Sequence, residues 1–379
     1  MAIKMKMKDY LNYIWILIIL IVAAFLYQRY DAKQFNLKTE DESYSMLQKY
    51  LLTDNVTLDE KKPILWIPVQ YEYNARNWQS FGSRSSFDLN QPYLYLTVKS
   101  IINQCGDSFH ICLIDDDSFS KLLPNWKINM SGISSPVLDY MRQLGLASLL
   151  NTYGGLIVPP SFLCFRDLIN MYNVATINDN LLICETIDRN ITSTSYTWYP
   201  NMNFMGAQKN CPVVRDLMDF MQRTISNDYT AQTEFLGEFN RWIEYRIKQH
   251  KVTLIEGKLI GTKTMDDEPI LVDDLLSNNY LDLYTNAYGI YIPANEILNR
   301  RHYEWFARLS QKQVLESKVI ICKYILLANT PNVPNGVIEP FKKKPNWVSF
   351  WRMPSGAPLW GLKPNVAPNH LVKESYPGK

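Results

Sequence analysis

The stretch FHICLIDDD, Phe109 to Asp117, sets an unbroken apolar run against three consecutive carboxylates. Such a short run, closed by polar residues, reads as a strand buried on both faces, with the carboxylates at its C-terminal end. Strands of that kind belong to sheets covered by helices, so this stretch predicts an α/β architecture. KPILWIPV, Lys62 to Val69, is a second run of the same type, and a helical stretch around Pro92 to Asn103 joins the two. Strand, helix, strand implies a parallel sheet.

Working outward, Pro136 to Tyr153 places Leu138, Met141, Leu144, Ala147 and Leu150 in helical period, and Gly154-Gly155 ends the helix. The glycines turn the chain into a strand at Leu156 to Val158. The alternation continues with strands at Leu181 to Thr186 and Asn203 to Ala207, and helices at Val213 to Thr224 and Thr233 to Lys248. The expected fold is therefore a doubly wound, Rossmann-like, mostly parallel sheet flanked by helices over residues 61–328. No internal repeat is found. The tail, 329–379, is rich in proline and carries Trp347, Trp351 and Trp360.

The N-terminus predicts a membrane anchor over residues 10–28. Tyr10 to Tyr27 is free of charge, and as a helix these residues would cover about 27 Å of a hydrocarbon core of about 30 Å. Tyr10, Tyr13 and Trp15 at one end and Tyr27 and Tyr30 at the other match interfacial aromatic belts. Lys4, Lys6 and Lys8 favour a short cytoplasmic N-terminus, 1–9, with the body lumenal (ER- or Golgi-type) or external. A cleaved signal peptide is the rival reading, against which stand the length of the run and the lack of an A-x-A site. Three Asn-x-Ser/Thr triplets, at Asn55, Asn129 and Asn190, are compatible with a lumenal body. The polar segment 29–60 reads as a stem, with a short amphipathic helix over Tyr44 to Leu52.

Charge excludes one class of partner. The formal net charge is +2 and the basic residues are scattered, so the footprint of a nucleic-acid binder is missing. Six cysteines, Cys105, Cys112, Cys164, Cys184, Cys211 and Cys322, have no zinc-site spacing. In a lumenal body one or two disulfides could form, Cys105 with Cys112 being nearest in sequence; six free buried thiols are the alternative.

Ligands of open parallel sheets sit beyond the carboxyl ends of the strands, which singles out Asp115, Asp116 and Asp117. They could hold a divalent cation, through Asp115 and Asp117, or bond a ribose or base; equally they could cap the following helix. The loop Asn74 to Tyr93 carries Arg76 and Arg84 among small polar residues, suited either to gripping a phosphate or to surface ion pairs. Glu185 and Asp188 after the LLIC run, and Glu234 or Glu238 further on, are candidate acid or base groups, with ordinary structural carboxylates as the alternative. His110 and His302 fit structural roles.

The helix ending in LLNTYGG, followed by a strand and FRDL, resembles the core of GT-A glycosyltransferases, and within them the DXD sugar-transferase and capsular polysaccharide synthesis group. NMNFMGAQKNCPVVRDLMDFM, Asn201 to Met221, resembles that group's next segment, so the similarity spans about residues 62 to 250. The resemblance implies a GT-A-like fold, a nucleotide-sugar donor, a glycan or glycoprotein acceptor and a Mn2+ or Mg2+ ion. It also implies roles for Asp139-x-x-Arg142, Gly154, Gly155 and the segment after them. Two departures stand out. Where the group has Asp-x-Asp, this chain has Pro159-Pro160-Ser161, and proline offers neither a side-chain oxygen nor an N–H. Asp139 and Arg142 lie one helical turn further from Gly154, a shift that nearly preserves the face, so they could point to the site or form an i, i+3 surface pair.

Two functions emerge as expectations. One is a single-pass type II membrane glycosyltransferase, using Asp115 to Asp117 and arginines as phosphate clamps. The other is a catalytically inactive GT-A-fold protein serving as a membrane-anchored binding or structural component, of a large DNA virus for example, which Pro159-Pro160 favours. A hydrolase is discounted, since no G-x-S-x-G or H-E-x-x-H pattern occurs.

Overall fold

The computed structural model describes residues 22–24, 26–27, 62–69, 91–133, 137–186, 199–227 and 241–330. The chain divides into two units, Met1–Leu51 and Leu52–Lys379. In the first, the described residues are helical and exposed. Most of the expected anchor, the stem up to Glu60, and the tail beyond Thr330 lie outside the described residues. Among the described residues no helix is long and apolar enough to cross a membrane.

In the second unit six strands form one sheet in the order β2-β1-β3-β6-β5-β7. They are β1 (Ile64–Pro68), β2 (His110–Ile114), β3 (Gly155–Ile157), β5 (Leu181–Thr186), β6 (Tyr199–Ala207) and β7 (Val252–Ile255). β1 pairs in parallel with β2 and β3, and β5 in parallel with β7. β6 is antiparallel to both neighbours, β3 and β5, so β2, β1, β3, β5 and β7 all point one way. The sheet is thus mostly parallel and flanked by helices, as the alternation of elements predicts. A second sheet pairs β4 (Phe162–Cys164) antiparallel with β8 (Gly289–Tyr291).

The apolar runs are continuous because both sheet faces are covered. On one face Ile64, Trp66, Cys112, Ile114, Ile157, Ile183 and Met205 share a core with α3 (Val137–Tyr153) and α5 (Pro212–Asn227). Each fully buried leucine of α3, Leu149 and Leu150 among them, contributes roughly 2 kcal/mol relative to exposure. Residues of opposite parity face α1 (Tyr93–Cys105) and the small sheet, where the Phe204 and Phe162 rings meet edge-on at 4.9 Å. α1 is buried on nearly every side, so its hydroxyls must be bonded. Thr97 Oγ1 donates to Pro160 O at 2.5 Å, Ser100 Oγ donates to Thr97 O at 2.6 Å, and Cys164 N donates to Ser100 Oγ at 2.9 Å.

The paired glycines are geometric. Gly154 (φ +73°) and Gly155 (φ +106°) stand in a region that side chains disfavour, and a Cβ on Gly155 would lie 2.2 Å from Ile64 O. Only a bare backbone lets β3 enter the sheet so close to β1, and Trp66 Nε1 seals the turn by donating to Gly154 O at 3.0 Å.

Candidate functional site

β2, β1 and β3 end on one rim, and their continuations are Asp115-Asp116, Val69 and Val158 to Ser161. Val69 N donates to Ile114 O at 2.7 Å and Val158 N to Trp66 O at 2.9 Å, so the ladder is intact up to the rim. Beyond it opens a cavity of about 470 Å³. Asp115, Asp116, Asp139, Arg142 and Pro159 to Ser161 all line it, so two members of the acidic triplet and the segment after β3 do meet.

Each carboxylate has a distinct situation. Asp115 is the N-cap of α2 (Asp116–Leu122): its Oδ1 accepts from Ser118 N at 2.9 Å and from Ser118 Oγ at 2.6 Å, while its own N–H donates to Ser118 Oγ at 3.1 Å. The capping alternative therefore holds for Asp115. Asp116 accepts from Arg142 Nε at 2.8 Å and Nη2 at 2.7 Å, a two-pronged charge-assisted pair. Arg142 Nη1 reaches Asp139 Oδ1 at 3.3 Å. Arg142 is buried, whereas Asp139 is exposed. Asp117 is exposed on α2 and does not line the cavity.

Close helix packing brings these groups together. A Cβ on Gly145 would lie 2.8 Å from the Phe119 ring, so α2 can rest against α3 only where that residue is small. Asp139 and Arg142 reach the rim despite their extra turn from Gly154, because a four-residue step keeps the helix face. The i, i+3 pair and the site residues are the same pair.

A divalent cation needs several convergent oxygens. Here Asp115 Oδ1 is engaged by its cap, both Asp116 oxygens by Arg142, and Asp117 lies apart. Pro159-Pro160 adds only backbone carbonyls, and the Pro160 carbonyl is bonded to Thr97. Among the described residues no group of three or more His, Cys, Asp or Glu side chains is arranged to hold a metal ion. As placed, the cavity's carboxylates do not fit a chelating set.

The other expected residues fall elsewhere. Glu185 is buried and does not line the cavity: its Oε2 accepts from Gly257 N at 2.7 Å, and Lys263 Nζ pairs with its Oε1. A carboxylate so enclosed is a structural anchor for the 257–263 segment. Gly154 and Gly155 also lie off the cavity, because they open β3 and the cavity lies beyond its other end. Arg76, Arg84, Asp188, Glu234 and Glu238 lie outside the described residues. His302 Nε2 is 3.9 Å from Asp273, and its ring stands edge-on to Tyr303.

The cavity also recruits Gln91, Asn203, Tyr291 and Asn295, which the sequence did not single out. Gln91 Nε2 donates to Ala294 O at 3.1 Å and its Oε1 accepts from Tyr93 OH at 2.8 Å, tying the start of α1 to α8 (Ala294–Asn299). Burial pushes the Tyr93 phenol well above its ordinary range, and Tyr291 adds to the shift. Asn203 is polar within the NMNFMGA run, a signal that could have marked it. Tyr291 and Asn295 come from a region with no motif.

No protein-family model matches this chain, and no curated protein matches it.

Proposed function

We propose that this chain is a membrane-anchored, glycosyltransferase-like protein of the GT-A type. It binds a nucleotide sugar at the carboxyl edge of its sheet and transfers the sugar to a glycan or glycoprotein. The observation that carries this reading is the gathering of Asp115, Asp116, Asp139 and Arg142 with Pro159 to Ser161 around one cavity. Ligands of open α/β sheets sit at such an edge, and carboxylates with amide side chains suit the hydroxyls of ribose and sugar. Anchorage through residues 10–28 with a lumenal body belongs to the same proposal and rests on the sequence.

The charge of the site bears on the donor. Three carboxylates face one guanidinium, and that guanidinium is already engaged. A diphosphate needs added positive charge, which Arg76, Arg84 or a Mn2+ or Mg2+ ion arriving with the donor would supply. A second reading, binding without transfer, is favoured by Pro159-Pro160-Ser161 and by the engagement of Asp116 with Arg142. Calorimetric titration of the full chain in detergent with UDP and GDP, with and without manganese, tests the site; hydrolysis of donor sugars then separates the readings. Saturable binding with hydrolysis is expected. Binding without hydrolysis selects the second reading, and absence of binding to either nucleotide or any donor rejects both.

A further inference from the structure

The seam between α1 and β4 brings two thiols into contact. Cys105 ends α1 and Cys164 ends β4; their Sγ atoms are 3.9 Å apart and both side chains are wholly buried. The contact is registered by the backbone, since Thr97 and Ser100 of α1 bond Pro160 O and Cys164 N along the same seam. The other four cysteines are buried too, but among the described residues this is the one thiol pair in contact.

We propose that Cys105 and Cys164 form a disulfide when the chain folds in an oxidising compartment, and that this bond staples the wall of the cavity. A disulfide needs an S–S distance of about 2.05 Å, so the sulfurs, 3.9 Å apart, must close by roughly 1.9 Å. The residues are 59 apart in sequence, and the loop they would close holds Asp115, Asp116, Asp139, Arg142 and Pro159 to Ser161. Cross-linking its ends removes freedom from the unfolded chain in the segment that builds the site. The inference rests on the lumenal placement in the proposed function and not on sugar transfer.

The chemistry is thiol–disulfide exchange with a disulfide-bearing oxidant. One cysteine thiolate attacks the oxidant's S–S bond, forming a mixed disulfide and expelling one thiol. The second cysteine attacks that mixed disulfide and expels the other. The pair gives up two protons and two electrons, and the oxidant's disulfide becomes two thiols. Burial of both sulfurs sets the timing: exchange occurs before α1 settles on β4, and the finished bond is shielded from reductants.

The test uses the full chain made in two ways, in an oxidising secretory compartment and in a reducing cytosol. Thiols are trapped by alkylation in denaturant and the unreduced protein is mapped by mass spectrometry. Trypsin leaves Cys105 and Cys112 on one peptide, 100–121, and Cys164 on another, 143–166. The expected result is a cross-linked pair of these peptides whose fragments place the bond on Cys105, with the remaining four cysteines alkylated. The oxidised form should also melt about 10 °C higher, a difference that dithiothreitol in mild denaturant removes. Six alkylated cysteines in the oxidised sample, a Cys105–Cys112 bond, or a bond from either residue to another cysteine would overturn the assignment. A Cys105–Cys164 bond without a change in Tm would overturn the staple. Mapping needs no variant, so a misfolding mutant cannot obscure it.

Discussion

Asp116 and Glu185 stand at the same carboxyl edge of one sheet, beside β2 and on β5 respectively, yet one faces a cavity and the other is sealed away. The difference lies in what covers each strand end. Over the end of β5 lies the segment that follows the neighbouring β7: Gly257 N bonds Glu185 Oε2, Thr262 Oγ1 donates to Glu185 O at 3.0 Å, and Lys263 closes the ion pair. Beyond β2 and β3 the chain turns aside into α2 and through Pro159-Pro160, so the rim stays open. A carboxylate at a strand end is thus a candidate site residue only where no other segment of the chain covers the edge.

The sealed half should break hardest. Lys263→Met leaves Glu185 as an uncompensated charge in the interior, for which the expected loss is about 3 to 5 kcal/mol in urea unfolding. Nucleotide binding by the fraction that remains folded should be unchanged. If binding fell in step with the ion pair, the two halves of the edge would be one site.

Alkaline pH acts on both halves. Cys112, on β2 beneath the rim, has its thiol pushed from an ordinary 9.0 up to about 12 by burial. The folded state keeps this proton while the unfolded chain releases it, so the stabilisation is whole below about pH 9 and is lost as pH rises toward about 12. By pH 10.5, under reducing conditions, the loss from this thiol should reach about 2 kcal/mol. Denaturant unfolding of Cys112→Ala should show a correspondingly flatter decline between pH 8 and 10.5. Burial also raises the Cys184 thiol on β5, so Cys184→Ala should flatten the curve in the same sense.

The contrast explains what was legible in the sequence. Strands buried on both faces announce themselves by composition, which is why β1, β2, β3 and β5 were readable, as was α3 from its helical period. The rim residues could be placed from their position after those strands. The cover over Glu185 was not readable, because it depends on Lys263, 78 residues away, and on the backbone of Gly257. Tyr291 and Asn295 were missed for the same reason, since β8 is only three residues long and gains its order by pairing with β4. The reversed direction of β6 is likewise a property of the assembled sheet.

Within the open half, Arg142→Leu should have a smaller effect on stability and a clear one on binding. It strips Asp116 of its two-pronged partner, and because Asp116 keeps partial contact with water the expected cost is about 1 to 2 kcal/mol. Titration with UDP or GDP should show affinity reduced at least about tenfold, the loss expected for a charge-assisted contact. A variant that loses stability but binds normally would make Arg142 a brace for α2 rather than part of the site.

The smallest effect is expected one residue along, at Asp117. Asp116→Asn removes a charge that lines the cavity and holds Arg142, whereas Asp117→Asn changes an exposed residue of the same helical turn that points elsewhere. Titrated side by side with and without manganese, Asp117→Asn should match the unmodified chain while Asp116→Asn does not. A manganese-dependent loss in Asp117→Asn would mean that α2 turns as ligand enters and brings a second carboxylate inward. The open edge would then be an acidic site assembled by its ligand, while the edge at Glu185 stays fixed by Lys263.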